Sequence, residues 1–233
     1  MFIAENLTRI RGSINHAVNK ASATGINKSD HVKLVAVTKN QNISAIQEAI
    51  EAGVLAIGEN RIQEAIDKGH SLGTQVEWQL IGHLQTNKVR LAVSLFDLIQ
   101  SVDSERLAIA INQAAGKINK RQDILIQVNA ANEDTKFGIS AHDVMSFARF
   151  ISNLEHVRLC GLMTVAPFYE NTELARPIFR EMYQLFMRLK DAKLANTNIE
   201  WLSMGMTNDY MIAVEEGANL VRIGTGIFGQ RQY

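Results

Sequence analysis

The chain has 233 residues, which is enough for one large domain or two small ones that need no disulfide or metal to fold. Apolar residues make up 46% and charged residues 21%, with only 2 prolines and 15 glycines, which excludes disordered, collagen-like and low-complexity chains. The 24 Lys and Arg residues balance the 24 Asp and Glu residues, so the zero net charge gives no reason to expect nucleic acid or an anionic membrane as a partner.

The single cysteine, Cys160, excludes an intramolecular disulfide and indicates a reducing compartment. Its apolar neighbours Leu159 and Leu162 predict a buried strand thiol rather than a nucleophile. The N-terminal residues alternate charged and apolar side chains, unlike a signal peptide, and no stretch reaches the ~18 apolar residues of a membrane span. We therefore expect a cytoplasmic protein with no membrane segment.

Short β-branched runs alternate along the chain with segments of helical periodicity, a pattern typical of repeated β-α units and a parallel sheet. A helix is predicted first, over Phe2–Ala23. Strands are then predicted at Val32–Lys39, Val54–Asn60, Val76–Gly82, Leu98–Val102, Asp123–Asn129, Val157–Val165, Glu200–Met204 and Leu220–Gly224. Helices between them are predicted at Ile43–Ala52, Arg61–Ser71, Thr86–Leu95, Ser104–Ile118, Ala141–Ser152, Thr172–Ala195 and Thr207–Glu216.

Eight parallel strands with helical crossovers in this length predict a single α/β domain over residues 1–233, a (β/α)8 TIM barrel. The N-terminal helix would take the eighth helical position. An open, doubly wound sheet is the alternative, although the sequence has no GxGxxG after the first strand and no GxxxxGK[ST]. No HxxxH, HExxH or CxxC spacing occurs, so no metal site is predicted.

The first predicted strand ends at Lys39, where barrel proteins place functional groups. Alternation puts Lys39 on the same side as Val35 and Val37, opposite Leu34 and Ala36. Both sides are apolar, so periodicity leaves open whether Lys39 faces the barrel or is a solvated lysine at a strand end. If it faces the barrel, partial desolvation favours the neutral amine that condenses with carbonyl groups.

The last two predicted strands end in turns rich in small residues. Ser203 and Gly205 end the seventh strand, while Gly224 and Thr225 follow the eighth. Glycine lets the backbone approach a ligand closely, and successive N–H groups can bind an anion. Loops at these two positions commonly build the phosphate site of a barrel. The sequence therefore favours a phosphate site here over ordinary turns and helix caps.

Two further residues at strand ends have alternative interpretations. Asn60, after the second strand, is either a helix N-cap that forms a capping box with Gln63 or an amide that binds a polar substituent of a ligand ring. His83, after the third strand, is interpreted as a residue of the barrel rim, and a pH-sensitive donor is the alternative.

The lysine after the first strand and the two phosphate turns together resemble the pyridoxal phosphate site of alanine-racemase-type barrels. The neighbouring segments are similar to those of the pyridoxal phosphate homeostasis protein family, over about Val32 to Gly229. These segments are Val35-Ala36-Val37-Thr38-Lys39, Gly58-Glu59-Asn60-Arg61, Ile81-Gly82-His83-Leu84-Gln85, Gly161-Leu162-Met163-Thr164, Leu202-Ser203-Met204-Gly205-Met206 and Val221-Arg222-Ile223-Gly224. Thr38 stands where the family often has serine, and Thr207-Asn208-Asp209 where it often has Ser-Asp-Asp; neither change removes a required atom.

The resemblance implies that Lys39 carries pyridoxal 5′-phosphate (PLP) as a Schiff base and that Asn60 lies near the ring substituents. It implies phosphate contacts from Ser203, Gly205, Gly224 and Thr225. Arg222 would face the pyridine nitrogen. A guanidinium there discourages protonation of this nitrogen, so the ring is a poorer electron sink than one paired with a carboxylate.

Racemisation usually needs two acid/base groups on opposite faces of the α-carbon, and Lys39 supplies one. Alanine racemases take the other, a tyrosine, from a separate C-terminal domain, which we do not expect here because only 230–233 follow Gly229 and Tyr233 would be a loose terminal residue. We therefore expect a monomeric PLP-binding protein of vitamin B6 homeostasis, not an enzyme, that buffers PLP or delivers it to apoenzymes. The alternatives are a low-activity racemase, with His83 or a water as second base, and a Schiff-base aldolase, whose lysine usually lies on a later strand.

Overall fold

The computed structural model describes residues 2–23, 26, 31–73, 75–131, 133 and 136–229, and within them eight parallel strands close into a barrel in sequential order. The strands are β1 Lys33–Val37, β2 Ala56–Glu59, β3 Glu77–Leu80, β4 Leu98–Val102, β5 Gln122–Val128, β6 Val157–Thr164, β7 Thr197–Ser203 and β8 Leu220–Ile223. The helices are α1 Phe2–Ala23, α2 Ile43–Glu51, α3 Ile62–Leu72, α4 Val89–Leu95, α5 Glu105–Gly116, α6 Val144–Ile151, α7 Arg176–Asp191, α8 Tyr210–Glu215 and α9 Thr225–Phe228.

Direct pairing of β1 with β8 closes the barrel. Lys33 lies opposite Leu220, and Val35 opposite Arg222, in a parallel register. The predicted (β/α)8 barrel is therefore confirmed, and the alternative of an open sheet is wrong. Tyr233 lies outside the described residues.

Several helices differ from prediction at their ends. Short 3-10 turns at Thr86–Lys88, Ala141–Asp143 and Thr172–Ala175 precede α4, α6 and α7. Helix α8 begins at Tyr210 rather than at Thr207 because Asp209 first closes a turn. Its carboxylate accepts a hydrogen bond from the Met206 amide at 2.7 Å, and its own amide donates to the Met206 carbonyl at 3.1 Å.

Helix α1 completes the outer ring, as predicted from the sequence. Its buried residues recur every three to four positions and form one apolar stripe, at Ile3, Leu7, Ile10, Ile14, Ala17 and Ala21. The helix packs against α2 on one side and against α8 and α9 on the other. The Asn6 side-chain amide also donates a hydrogen bond to the Ile227 carbonyl at 2.9 Å, which ties the start of the chain to α9.

Two separate apolar clusters identify the two faces of the strands. The larger cluster lies between strands and helices and includes Ala36 and Ile57. The smaller cluster draws on strand residues alone and fills the barrel: Val35, Ala56, Leu98, Leu125, Cys160, Met163 and Leu220. Cys160 is thus buried in a strand, as predicted, and this burial raises the pKa of its thiol to about 12.

A chain of polar side chains also crosses the barrel interior, and we call it the inner polar chain. It consists of Arg222, Ser203, Gln100, Gln79, Glu77 and Lys33. Arg222 donates to the Ser203 hydroxyl, which donates to Gln100 Oε1 at 2.6 Å. Gln100 Nε2 donates to Gln79 Oε1, and Gln79 Nε2 donates to Glu77 Oε1 at 2.7 Å. Lys33 Nζ completes the chain with a bond of 2.7 Å to Glu77 Oε2.

Within the described helices, none has an apolar stretch long enough to cross a membrane. The same part of the chain contains no group of three His, Cys, Asp or Glu side chains that could hold a metal ion.

Candidate functional site

Lys39 follows β1 at the carboxyl end of the barrel and is half-buried. Val35 belongs to the cluster inside the barrel, whereas Ala36 packs against the helices. Thr38 continues this alternation, because its hydroxyl points outward to Glu59. This alternation favours the inner side for Lys39, which itself lies in the turn directly after the strand.

The backbone around Lys39 is held by charged residues that sequence reasoning missed. Lys68 Nζ donates to the Thr38 carbonyl at 2.7 Å and to Glu59 Oε1 at 2.6 Å. Burial raises the pKa of the Glu59 carboxyl, and the hydrogen bonds from Lys68 and Thr38 oppose that rise. The available sequence signal was the presence of charged residues at buried positions of a strand and of a helix.

The turn after β7 depends on glycine at position 205. Gly205 has a φ of 91°, and an added Cβ would lie 2.6 Å from Ala213 Cβ and 2.8 Å from Tyr210 Cα. Its carbonyl accepts a hydrogen bond of 3.0 Å from the Arg222 amide. A second bond, of 3.3 Å from the Gly226 amide to the Thr207 hydroxyl, joins the two turns. The turns after β7 and β8 therefore form one connected unit.

The second turn leads into a short helix at the barrel mouth. Gly224 is the N-cap residue of α9, and Thr225 is its first residue. Thr225 is exposed and Gly224 is half-buried, so both are accessible from the mouth. The first amides of a helix have no partner within the helix, and they bind anions readily.

Ser203 lies deeper than these turns and is fully buried. Its hydroxyl accepts from Arg222 and donates its single proton to Gln100. A hydrogen bond from Ser203 to a phosphate would require this hydroxyl to turn away from Gln100. The predicted phosphate contact of Ser203 stays a prediction, while its bond to Arg222 is a role that the sequence did not indicate.

Arg222 is a buried cation below the mouth, with a side chain 3% exposed. One of its terminal nitrogens donates to Ser203, and the other donates to the Thr164 carbonyl at 2.7 Å. Burial lowers its pKa to about 10, which the negative charge of Asp209 partly offsets. The guanidinium is therefore still protonated at neutral pH.

Asn60 does not cap helix α3, so the capping-box interpretation is wrong. The N-cap position belongs to Arg61, which makes no capping bond with its side chain, and Gln63 instead donates to Asp67 at 3.1 Å. The backbone of Asn60 packs tightly on Gly82, where an added Cβ would lie 2.3 Å from the Asn60 carbonyl oxygen. This contact keeps Asn60 at the strand end, half-buried at the mouth.

His83 lies on the rim of the mouth, in agreement with its predicted position. Its ring stacks on Phe137, with the centroids 3.9 Å apart. Nδ1 of His83 lies 3.8 Å from Oδ2 of Asp103. Burial raises the pKa of the Asp103 carboxyl, and His83 opposes this rise by coulombic attraction.

Comparison with known proteins identifies close relatives. The chain matches the family model described as "Alanine racemase, N-terminal domain" over residues 6–232. A protein of Pasteurella multocida named "Pyridoxal phosphate homeostasis protein" is 38% identical over 236 residues, with 100% of this chain and 99% of that protein covered. A protein of the same name from Aquifex aeolicus is 38% identical, with 100% of both chains covered.

Solved structures show the same architecture. PipY of Synechococcus elongatus, solved with PLP bound, aligns with a TM-score of 0.82 and 34% identity, covering 97% of this chain and 100% of that one. An alanine racemase of Clostridium difficile aligns with a TM-score of 0.72 at 14% identity, covering 95% of this chain but 60% of that one. At that identity, the racemase supports a shared fold and no more.

Proposed function

Because this chain belongs to the family of pyridoxal phosphate homeostasis proteins, we propose that it binds PLP reversibly as a Schiff base on Lys39 and buffers it or delivers it to apoenzymes. The observation that carries this proposal is the position of Lys39 directly after β1, at the carboxyl end of the barrel. Its half-buried side chain shares the barrel mouth with the linked turns after β7 and β8.

The amine of Lys39 is the group that would react with PLP. Among the described residues, Lys39 Nζ takes part in no hydrogen bond or ion pair. PLP supplies an aldehyde, to which a neutral amine adds with loss of water. The reaction is reversible, as a buffering or delivering protein requires.

The other site residues match the remaining groups of PLP. Arg222 is a buried guanidinium that stays protonated and can only donate hydrogen bonds. The pyridine nitrogen would therefore have to accept one from it and remain unprotonated. The glycine turns and Thr225 offer amides and a hydroxyl to the phosphate, and Asn60 offers an amide to the ring substituents. An unprotonated pyridine nitrogen withdraws fewer electrons, so the bound ring would be a poorer electron sink than one paired with a carboxylate.

We propose that PLP binding and release, rather than catalysis on amino acids, is the main role. The relatives are named homeostasis proteins, and Lys39 is one acid/base group where racemisation usually needs two. A low-activity racemase is the second candidate, because His83 lies 3.8 Å from Asp103 and could be oriented as a second base. Exchange of α-deuterium into several amino acids, faster than with free PLP and lost in Lys39→Ala, would favour that candidate.

Borohydride reduction of the PLP-loaded protein, followed by peptide mass spectrometry, tests the central assignment. We expect the pyridoxyl group on Lys39 and its loss in Lys39→Ala. A pyridoxyl group found only on other lysines would overturn the assignment. If PLP produces no visible absorbance at all, the aldolase alternative gains support.

We further propose that residues 1–233 act as one domain, as a monomer in the cytoplasm. The family match over residues 6–232 supports a single unit. Analytical ultracentrifugation of the apoprotein and of the PLP-loaded protein at several concentrations tests the monomer. A mass twice that of the chain would contradict it.

A further inference from the structure

The segment that carries Lys39 is fastened to helix α3 by charged side chains, which we call the α3 clamp: Glu59, Glu64 and Lys68. Glu59 ends β2 and is fully buried, and Lys68 is 8% exposed in the middle of α3. Glu64 precedes Lys68 by one helical turn, with 3.4 Å between its Oε2 and Lys68 Nζ.

The clamp holds both neighbours of Lys39 in the chain. Lys68 Nζ donates to the Thr38 carbonyl at 2.7 Å, and the Thr38 hydroxyl donates to Glu59 Oε1. On the other side, the Asn40 amide donates to Glu64 Oε2 at 3.0 Å. The backbone before and after Lys39 is therefore fixed, while its own side chain is free of such bonds among the described residues.

This arrangement stabilises a turn that would otherwise be unfavourable. Asn40 has a φ of 60°, a left-handed conformation that few residues other than glycine, asparagine and aspartate adopt. The Thr38 carbonyl comes after the last residue of β1 and accepts from the Gln41 amide at 2.9 Å as well as from Lys68. The chain thus reverses direction directly after Lys39.

Stability alone does not explain the buried pair of Glu59 and Lys68. Removing two charges from water is costly, and a well-packed apolar pair is often as stable or more so. Within the part of the chain that the structure describes, Glu59 Oε2 also has no hydrogen-bond partner, which adds to the cost. The pair does, however, fix the direction in which the chain leaves β1.

We propose that the residues of the α3 clamp are positioning residues that direct the Lys39 side chain toward the barrel mouth. Glu59 and Lys68 hold Thr38 before Lys39, and Glu64 holds Asn40 after it. This inference rests on the proposed function. The bond at issue forms when the Lys39 amine adds to the aldehyde carbon of PLP and water leaves. If the clamp acts only through Lys39, its loss slows formation of this covalent bond and leaves the non-covalent binding of the phosphate and the ring unchanged.

The test compares Lys68→Met with a matched control, Lys120→Met. Lys120 is also partly buried, and it donates to the Val93 and Phe96 carbonyls, each at 2.7 Å, in a position before β5. Two ligands separate the effects: PLP forms the covalent bond, whereas pyridoxine 5′-phosphate has an alcohol in place of the aldehyde and cannot. Melting temperature reports the loss of stability in each variant.

We expect Lys68→Met to slow bond formation at Lys39 at least about tenfold, as displacement of a reacting group does. Its Kd for pyridoxine 5′-phosphate should stay within about twofold of the wild type, since non-covalent contacts are untouched. Lys120→Met should lower the melting temperature without slowing the reaction. Lys68→Arg, which keeps the charge and the donors, should restore most of the rate.

Bond formation at the wild-type rate in Lys68→Met would overturn the inference. So would a loss of pyridoxine 5′-phosphate affinity as large as the loss of rate. If Lys68→Met does not fold, Glu64→Ala provides the same test, because it frees the Asn40 amide at a less buried position. Absence of PLP from Lys39 in the wild-type protein would overturn the proposed function as well. Labelling of Lys39 at the same rate in the wild type and in Lys68→Met would overturn only the positioning role of the clamp.

Discussion

The buried guanidinium of Arg222 donates a hydrogen bond to the hydroxyl of Ser203. Because that hydroxyl donates its single hydrogen bond to Gln100 Oε1, the hydrogen bonds at Ser203 run in one direction along the inner polar chain. Every donor in the inner polar chain points toward Glu77, which lies at the opposite end of the barrel from the mouth. The orientation of Arg222 at the candidate site is therefore set from inside the barrel.

We predict that Ser203→Ala lowers the free energy of unfolding by about 1–3 kcal/mol, since a donor of Arg222 and an acceptor of Gln100 lose their partner in a buried place. Urea denaturation of the apoprotein measures this change. Ser140→Ala is the control, because the bond of 3.1 Å from Ser140 to Asp143 is exposed. Equal losses in both variants would show that the buried bonds contribute little.

Gly205→Ala is expected to destabilise the protein by more than about 1 kcal/mol, because alanine is strained at its positive φ and its Cβ would overlap Ala213 and Tyr210. It should also weaken PLP binding by displacing the turn after β7. Gly69→Ala is a matched control in α3, where an added Cβ meets nothing within 4 Å. That change should stabilise the helix by about 0.5–1 kcal/mol. Thermal melts of both variants measure these changes. A melting temperature of Gly205→Ala equal to that of the wild type would refute the steric argument.

Asp103 should make stability depend on pH in the acidic range. Burial raises the pKa of its carboxyl in the folded protein, so the folded state holds the proton more tightly than the unfolded chain. The free energy of unfolding then falls as pH rises from the ordinary aspartate pKa through the raised one. At pH values above the raised pKa, this loss of stability persists in full. Asp103→Asn cannot ionise and should escape this cost.

Urea midpoints at about pH 3 and about pH 7, on either side of the aspartate range, measure this effect. Relative to the wild type, Asp103→Asn should gain stability at the higher pH only. A difference between Asp103→Asn and the wild type that does not vary with pH would contradict the assignment.

Cys160 is predicted to resist thiol reagents in the folded protein. The side chain is 3% exposed and burial raises its pKa to about 12, so very little reactive thiolate is present at neutral pH. Reaction with a chromogenic disulfide should be slow in buffer and complete within minutes in guanidinium chloride. Labelling in buffer as fast as in denaturant would place the thiol on an accessible surface.

The barrel could be predicted from sequence because each β-α unit has a local signal: a short apolar run followed by a segment of helical periodicity. The eight apolar runs lie at the predicted places, and β4 has the predicted bounds, Leu98–Val102. Helix ends were less predictable where a side chain competes with the helix for backbone hydrogen bonds. Asp209 is one example: its bond to the Met206 amide delays α8 by three residues relative to the prediction.

The candidate site was predictable in part. Lys39 and the glycine turns stand at strand ends, and a strand end is visible in a single sequence. The partners of Ser203 were not visible, since Gln100 lies 103 positions away and meets it only when the barrel closes. The same holds for Lys68, whose bond to the Thr38 carbonyl spans 30 positions.

The inner polar chain also limits which substitutions this sequence can accept during evolution. An exchange of a single member, such as Gln79 for leucine, leaves the side-chain amide of Gln100 without its acceptor in the middle of the barrel. Neighbouring members should therefore change together, in compensating pairs, whereas apolar residues of the same layer can be exchanged one at a time. The interior of this barrel thus inherits its polar residues as a set.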